Sequence, residues 1–382
     1  MGFRHCIATV AASVILGVQA LPGALAQTPS LVSVIPAGTL PDAREPQVAV
    51  SGTGKVLVAY GVKNAIYCSV SGDGGRTYAT PVRVAEAGVL ALGMRRGPRI
   101  AAAGKSVVIT AVYGGQGRGR DGDLLAWRSQ DGGTSWYGPS KVNDVPGSAR
   151  EGLHGMAASP QGALTCAWLD LRSKGTKIYA AVSQDGGATW SGNRLVYKSP
   201  DGSVCECCHP SVAYDAKGRL YIMWRNWLGG SRDMYLTRSD DGCATFGPAQ
   251  KLGVGTWPLN ACPMDGGSVA VAANGTVTTF WQRDGRMFEC VPGSEERVVG
   301  PGVQGWASTG VPGTPIVWLE RRRGTLMVQS PHQRPTALAE SADDPVIASA
   351  PNGRGPVVVV FQTMTGGAST IMSAVLAENG PR

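Results

Sequence analysis

Ser183-Gln184-Asp185-Gly186-Gly187-Ala188-Thr189-Trp190 carries a pattern, Ser-x-Asp-x-Gly-x-Thr-aromatic, that the chain uses four times. Ser129 to Trp136 (SQDGGTSW) repeats it with Ser135 in the Thr place, Ser71 to Tyr78 (SGDGGRTY) changes the aromatic, and Ser239 to Phe246 (SDDGCATF) puts Cys243 where Gly stood. Chemically each copy reads as a tight turn between strands. The Asp accepts hydrogen bonds from turn N–H groups, the Gly takes a positive φ that side chains resist, and the aromatic pins the turn to the sheet. Asp73, Asp131, Asp185 and Asp241 are therefore structural residues. The spacings of 58 (129 − 71), 54 (183 − 129) and 56 (239 − 183) fall in the range of stacked or radial repeat units, so the unit is one small sheet.

A second pattern runs beside the first: a short strand, a Gly-containing turn, then a longer apolar strand. It spans 46–61, 98–114, 154–170, 210–226 and 267–283, with weaker copies at 305–321 and 344–363, seven in all. Each copy supplies the first two strands of a sheet, and the aspartate turn follows strand three, as Lys177 to Val182 precede Ser183. The last sheet has Thr370 to Leu376 as strand three and then needs a fourth. Leu31 to Ile35 is the expected donor, which closes a ring and removes exposed edges.

The aspartate turns resemble the Asp boxes of the sialidase superfamily, whose members are β-propellers, and the resemblance covers most of the chain after the first 26 residues. It implies an all-β propeller with the boxes on the face away from the active site. It also implies six blades. The seven copies favour seven, and six holds if the weak sixth copy is a long excursion. The segment Cys205 to Gly267 further resembles exported bacterial sialidase-like proteins with a Cys-x-Cys-Cys loop and no established activity.

Composition agrees with one exported all-β domain. Residues 1–26 read as a signal peptide: Arg4 and His5, an apolar run broken by Gly17 and Pro22, then Ala24-Leu25-Ala26. Residues 27–382 form the domain, placed in the periplasm or secreted, with no membrane span after cleavage. There are 54 Gly and 25 Pro and no long amphipathic helical pattern. The net charge of +8 has no dense Lys/Arg run behind it, which argues against nucleic acid as a partner. Oligomeric state leaves no mark in the sequence.

In a propeller, loops from strand two to three and loops leading into strand one share the face opposite the boxes. The former carry Asp170, Arg172, Arg225, Asn226, Arg232 and Arg283, and Arg44 precedes the first strand. Guanidinium groups bind carboxylate in bidentate fashion, so the face suits an anionic glycan or protein ligand, unless these arginines are neutralised by neighbours such as Asp170. The loops leading into the fourth and fifth units carry Cys205, Cys207, Cys208, His209, Cys262 and Met264. That donor set suits copper or zinc. The competing reading is a disulfide between one of the first three cysteines and Cys262, which an oxidising compartment favours.

The sialidase resemblance also implies three Arg on a substrate carboxylate, a Tyr nucleophile activated by Glu, and an Asp acid/base. Arg44-Glu45-Pro46 and Arg225-Asn226 resemble the segments that carry two of the arginines. The chain departs from the pattern where His209-Pro210 replaces the Glu position and Gln304-Gly305-Trp306 the Tyr position. Three functions follow in order of preference: binding an anionic glycan or protein partner, exo-sialidase or related glycosidase activity, and a metal or redox role.

Overall fold

A computed structural model describes residues 1–2 and 29–379. The signal segment Met1 to Ala26 lies outside the described residues except for its first two. Among the described residues every regular element is a strand. None of them forms a helix long and apolar enough to cross a membrane, which leaves strands untested in that respect.

All seven predicted hairpins are present, opening at Arg44–Val50, Arg99–Ala103, His154–Ala158, Ser211–Tyr214, Ser268–Val271, Val303–Ala307 and Thr336–Ala348. The first five grow into antiparallel sheets in chain order, the second with a short extra strand, Val89–Leu90. The last two share one seven-stranded sheet. The joint is Thr336–Ala348, whose first half pairs with Gly324–Gln329 and whose second half pairs with Gly355–Thr365. One continuous strand is thus the outer strand of one unit and the inner strand of the next. Leu31–Ser33 pairs with Ala368–Asn379, Leu31 opposite Ala374, as the sequence predicts.

Second strands such as Val56–Val62 and Leu164–Asp170 are buried at every position. Both faces of each sheet are covered by neighbouring sheets, and the strands accordingly read as unbroken apolar runs rather than alternating ones. Fourth strands such as Val82–Ala85 are only half-buried. The opening strands of consecutive hairpins touch in chain order, and that of the first touches that of the last. Residues from all seven bound a central cavity of about 200 Å³.

The Asp boxes have the predicted bonding. Asp185 Oδ1 accepts from Ser183 Oγ (2.8 Å), Ala188 N (3.1 Å) and Thr189 N (2.9 Å), while Ser183 Oγ accepts from Gly187 N (2.8 Å). Burial raises the Asp185 carboxyl, but the bonds from Thr189 and Ser183 outweigh it and hold it down at about 2. The box glycine also fixes sheet-to-sheet spacing: a Cβ at Gly187 (φ +86) would lie 2.8 Å from Val108 of the preceding sheet, and one at Gly133 3.0 Å from Leu57. In the fourth box Cys243 holds the same conformation, φ 76. By strand register Thr165 occupies the place that Leu57 and Val108 hold in their sheets, and the Cys243 side chain joins the core there.

Candidate functional site

The strand-two ends and the loops leading into strand one do meet on one face, because Arg225 at the end of Leu220–Arg225 reaches across to the next unit. Its guanidinium donates to the carbonyls of Arg232 (2.8 Å), Gln282 (2.8 Å) and Asp265 (3.2 and 3.3 Å) and is 1% exposed. Arg225 is a brace between two sheets. Asn226 is fully buried too and donates to the Tyr197 hydroxyl at 3.0 Å.

Other predicted arginines are also engaged. Arg172 pairs with Asp170 (2.8 Å) and Asp144 (3.0 Å) and lies over the Tyr179 ring. Arg283 pairs with Glu296 at 2.7 Å and lies over Phe288. Arg232 lies over Trp227, donates to Leu259 O (3.2 Å), and points Nη1 at Cys205 Sγ, 2.9 Å away. None of these is offered to solvent as a free guanidinium fork.

Arg44 differs. It is exposed at the rim of a groove of about 730 Å³ that runs from the first sheet to the loop before the third. Lys63, Arg96, Arg118 and Arg150 line the groove with it, against two acids, Asp42 and Glu151. Leu90, Leu92 and Met94 give it an apolar floor. Among the described residues Arg44, Lys63 and Arg118 have no ion-pair partner within 4.0 Å. The groove is therefore a basic trough with unspent charge.

Beneath that rim, buried polar and ionisable groups gather about the axis. Glu45, His154, Gln304 and Asp344 lie within inner strands, and His209 and Asp265 stand two and three residues ahead of theirs. Glu45 accepts from Gly93 N (2.8 Å) and Arg96 N (3.0 Å), which clamps the basic loop to the first sheet. Gln304 N donates to Asp265 Oδ2 at 2.7 Å, and its side chain exchanges two bonds with Asp344. Arg95 lies over Trp306, with Nε and Nη2 unpaired although buried. Burial raises the Glu45 and Asp344 carboxyls, in Glu45 helped by the nearby Asp344 charge. It lowers His154 to about 3 and His209 well below the usual imidazole range, assisted by Arg99 and Arg95 respectively. Glu45, Met264, Gln304 and Asp344 all have φ between 46 and 57, a strained region for residues with side chains.

The cysteine loop is packed but unbonded. Cys205 Sγ lies 3.4 Å from Cys208 Sγ and 3.6 Å from Cys207 Sγ, and all eight described cysteines are free thiols. Cys262, the expected disulfide partner, is exposed and reaches Cys207 from the adjoining loop, and no sulfur–sulfur bond joins the two. Hydrogen bonds from Cys207 and then Cys208 lower the Cys205 thiol, while burial raises Cys208. His209, the imidazole of the predicted ligand set, stands apart from the sulfurs and stacks on Trp306 with centroids 5.6 Å apart.

Residues 100–288 match the BNR repeat-like domain, a span that includes three Asp boxes and both cysteine loops. Among solved structures the chain is similar to a protein of unknown function from Dyadobacter fermentans, at 16% identity over 90% of this chain and 98% of that one, TM-score 0.56. It is also similar to an α-L-arabinanase from Penicillium chrysogenum, at 17% identity over 91% and 97%, TM-score 0.55. The intramolecular trans-sialidase from Ruminococcus gnavus aligns at 10% identity over 94% and 100%, TM-score 0.51. The chain shares the β-propeller fold of these structures. No curated protein matches it.

At these identities the likeness concerns fold alone, and the same fold serves an arabinanase and a trans-sialidase. Among the described residues no tyrosine hydroxyl is hydrogen-bonded to a carboxylate: Tyr60 bonds Ser69, Tyr214 bonds Thr165, Tyr197 bonds Asn226, and Tyr113 donates to Asn64 O. Sequence reasoning missed Arg95, Arg99, His154 and Asp344. The available signal was a recurrent polar residue followed by proline, as in Glu45-Pro46, His209-Pro210 and Asp344-Pro345.

Proposed function

We propose that this protein is an exported, seven-bladed member of the sialidase-like class that binds an acidic glycan in the groove bearing Arg44. Leu31–Ser33 serves as the clasp of the last blade. The observation that carries the binding reading is the groove itself. Arg44, Lys63, Arg96, Arg118 and Arg150 face Asp42 and Glu151 across about 730 Å³, a size suited to a short oligosaccharide. Guanidinium forks suit the carboxylates of uronic or sialic acids, and the Leu92–Met94 floor suits the apolar face of a sugar ring. Arg172, Arg225 and Arg283, spent on partners within the protein, serve the scaffold. Exo-sialidase chemistry is the weaker reading, because a Tyr nucleophile needs its base within hydrogen-bonding reach and no tyrosine–carboxylate bond is present among the described residues.

Calorimetric titration with a charge-matched panel tests this: oligogalacturonate and sialyllactose against neutral cello- and arabino-oligosaccharides. The acidic sugars bind, and their affinity falls as salt rises. Equal binding of neutral sugars, or salt-independent binding, overturns the proposal. Release of free sialic acid from sialyllactose brings the hydrolytic reading back.

A further inference from the structure

We propose that Cys205, Cys207 and Cys208, with the thioether of Met264 beside them, form a soft-metal site that takes one Cu(I) ion. Three thiols within four residues have their sulfurs all within 4.8 Å of one another. The separations of 3.4 and 3.6 Å lie near the edge of about 3.8 Å expected for sulfurs held tetrahedrally around a d10 ion at about 2.3 Å. No sulfur–sulfur bond joins any of the three. The remaining core cysteines, Cys68, Cys166, Cys243 and Cys290, each stand alone in or beside a strand and form no such cluster.

Charge argues in the same direction. Arg232 is 6% exposed and has no carboxylate partner among the described residues. Its hydrogen bonds go to Leu259 O and, at 2.9 Å, to Cys205 Sγ. Arg225, behind it, is bonded only to neutral carbonyls. The buried Arg232 guanidinium calls for negative charge, and a copper–thiolate centre supplies it where neutral thiols do not. Each ligating thiol gives its proton to solvent, and copper keeps its oxidation state.

The neighbours select the ion. Met264, in a strained conformation at φ 53, packs against the three cysteines from the adjoining loop. A thioether suits Cu(I), whereas zinc takes cysteine, histidine and carboxylate. The nearest imidazole, His209, is stacked at the axis instead. Cys262, exposed beside Cys207, offers a fourth sulfur through which copper enters or leaves.

The test is to titrate reduced protein with Cu(I) under anaerobic conditions against a chromophoric Cu(I) chelator, followed by copper-edge X-ray absorption on the loaded protein. Expected are one copper per chain, sulfur scatterers only, loss of stoichiometric retention in Cys205→Ser and Cys208→Ser, and about ten- to hundredfold weaker retention in Arg232→Gln. Cys290→Ser and Arg44→Ala retain copper like the wild type, which separates this site from the glycan groove. Surrender of copper by the wild type to the chelator, nitrogen or oxygen scatterers, or retention of zinc in preference to Cu(I) overturns the proposal. The wild-type spectrum decides the matter even where a serine variant fails to fold.

Discussion

Ser183 shows how a single hydroxyl holds a repeat together. It donates to Asp185 and accepts from Gly187 N, both inside a turn that packs on the preceding sheet. Ser183→Ala strands a buried N–H, and a loss of about 1–3 kcal/mol in denaturant unfolding is expected. His154 makes a different case, since its ring stays neutral in the fold to about pH 3. An unfolded histidine takes up its proton near pH 6.5, so between those values the unfolded state binds more protons and stability falls as pH falls. His154→Gln keeps a partner for Thr110 and removes that term. The variant therefore gains on the wild type in thermal melts from pH 6.5 downward; a pH-independent difference between the two would refute the assignment.

At the scale of elements, the Arg225 brace shows where a sequence reading misleads. An arginine at a strand end facing a ligand surface looks like a ligand arginine, but its loop is covered by the next unit and four carbonyl bonds consume it. Arg225→Ala leaves three buried carbonyl groups without their donor and costs about 3 kcal/mol or more, while acidic-glycan affinity per folded molecule stays unchanged. Hairpins and Asp boxes were legible because their signals are local: apolar runs, a Gly turn, an aspartate that bonds within its own turn. The axial cluster was not, because Glu45 and Asp344 stand 299 residues apart (344 − 45) and only the arrangement of sheets unites them. Arg44 was legible through its likeness to a sialidase arginine segment, but its companions Arg96 and Arg150 come from separate loops and carry no such signal.

At the scale of the whole molecule, the same topology that hides the axial charges leaves the basic groove open beside them, with Glu45 holding the loop that lines it. The N-terminal segment is integral to this arrangement: Leu31–Ser33 covers the edge of Ala368–Asn379, and Val34 and Ile35 are buried. Deleting residues 31–35 exposes that edge and about 1.5–3 kcal/mol of burial for each of the two apolar side chains. A lower melting temperature and self-association in light scattering are expected. The account turns most directly on the groove, and the deciding measurement is the affinity of oligogalacturonate for the wild type and for the Arg44→Ala, Arg150→Ala double variant, taken at the same salt concentration. The prediction is a loss of at least about tenfold in a variant that melts like the wild type; unchanged affinity in that variant would contradict it.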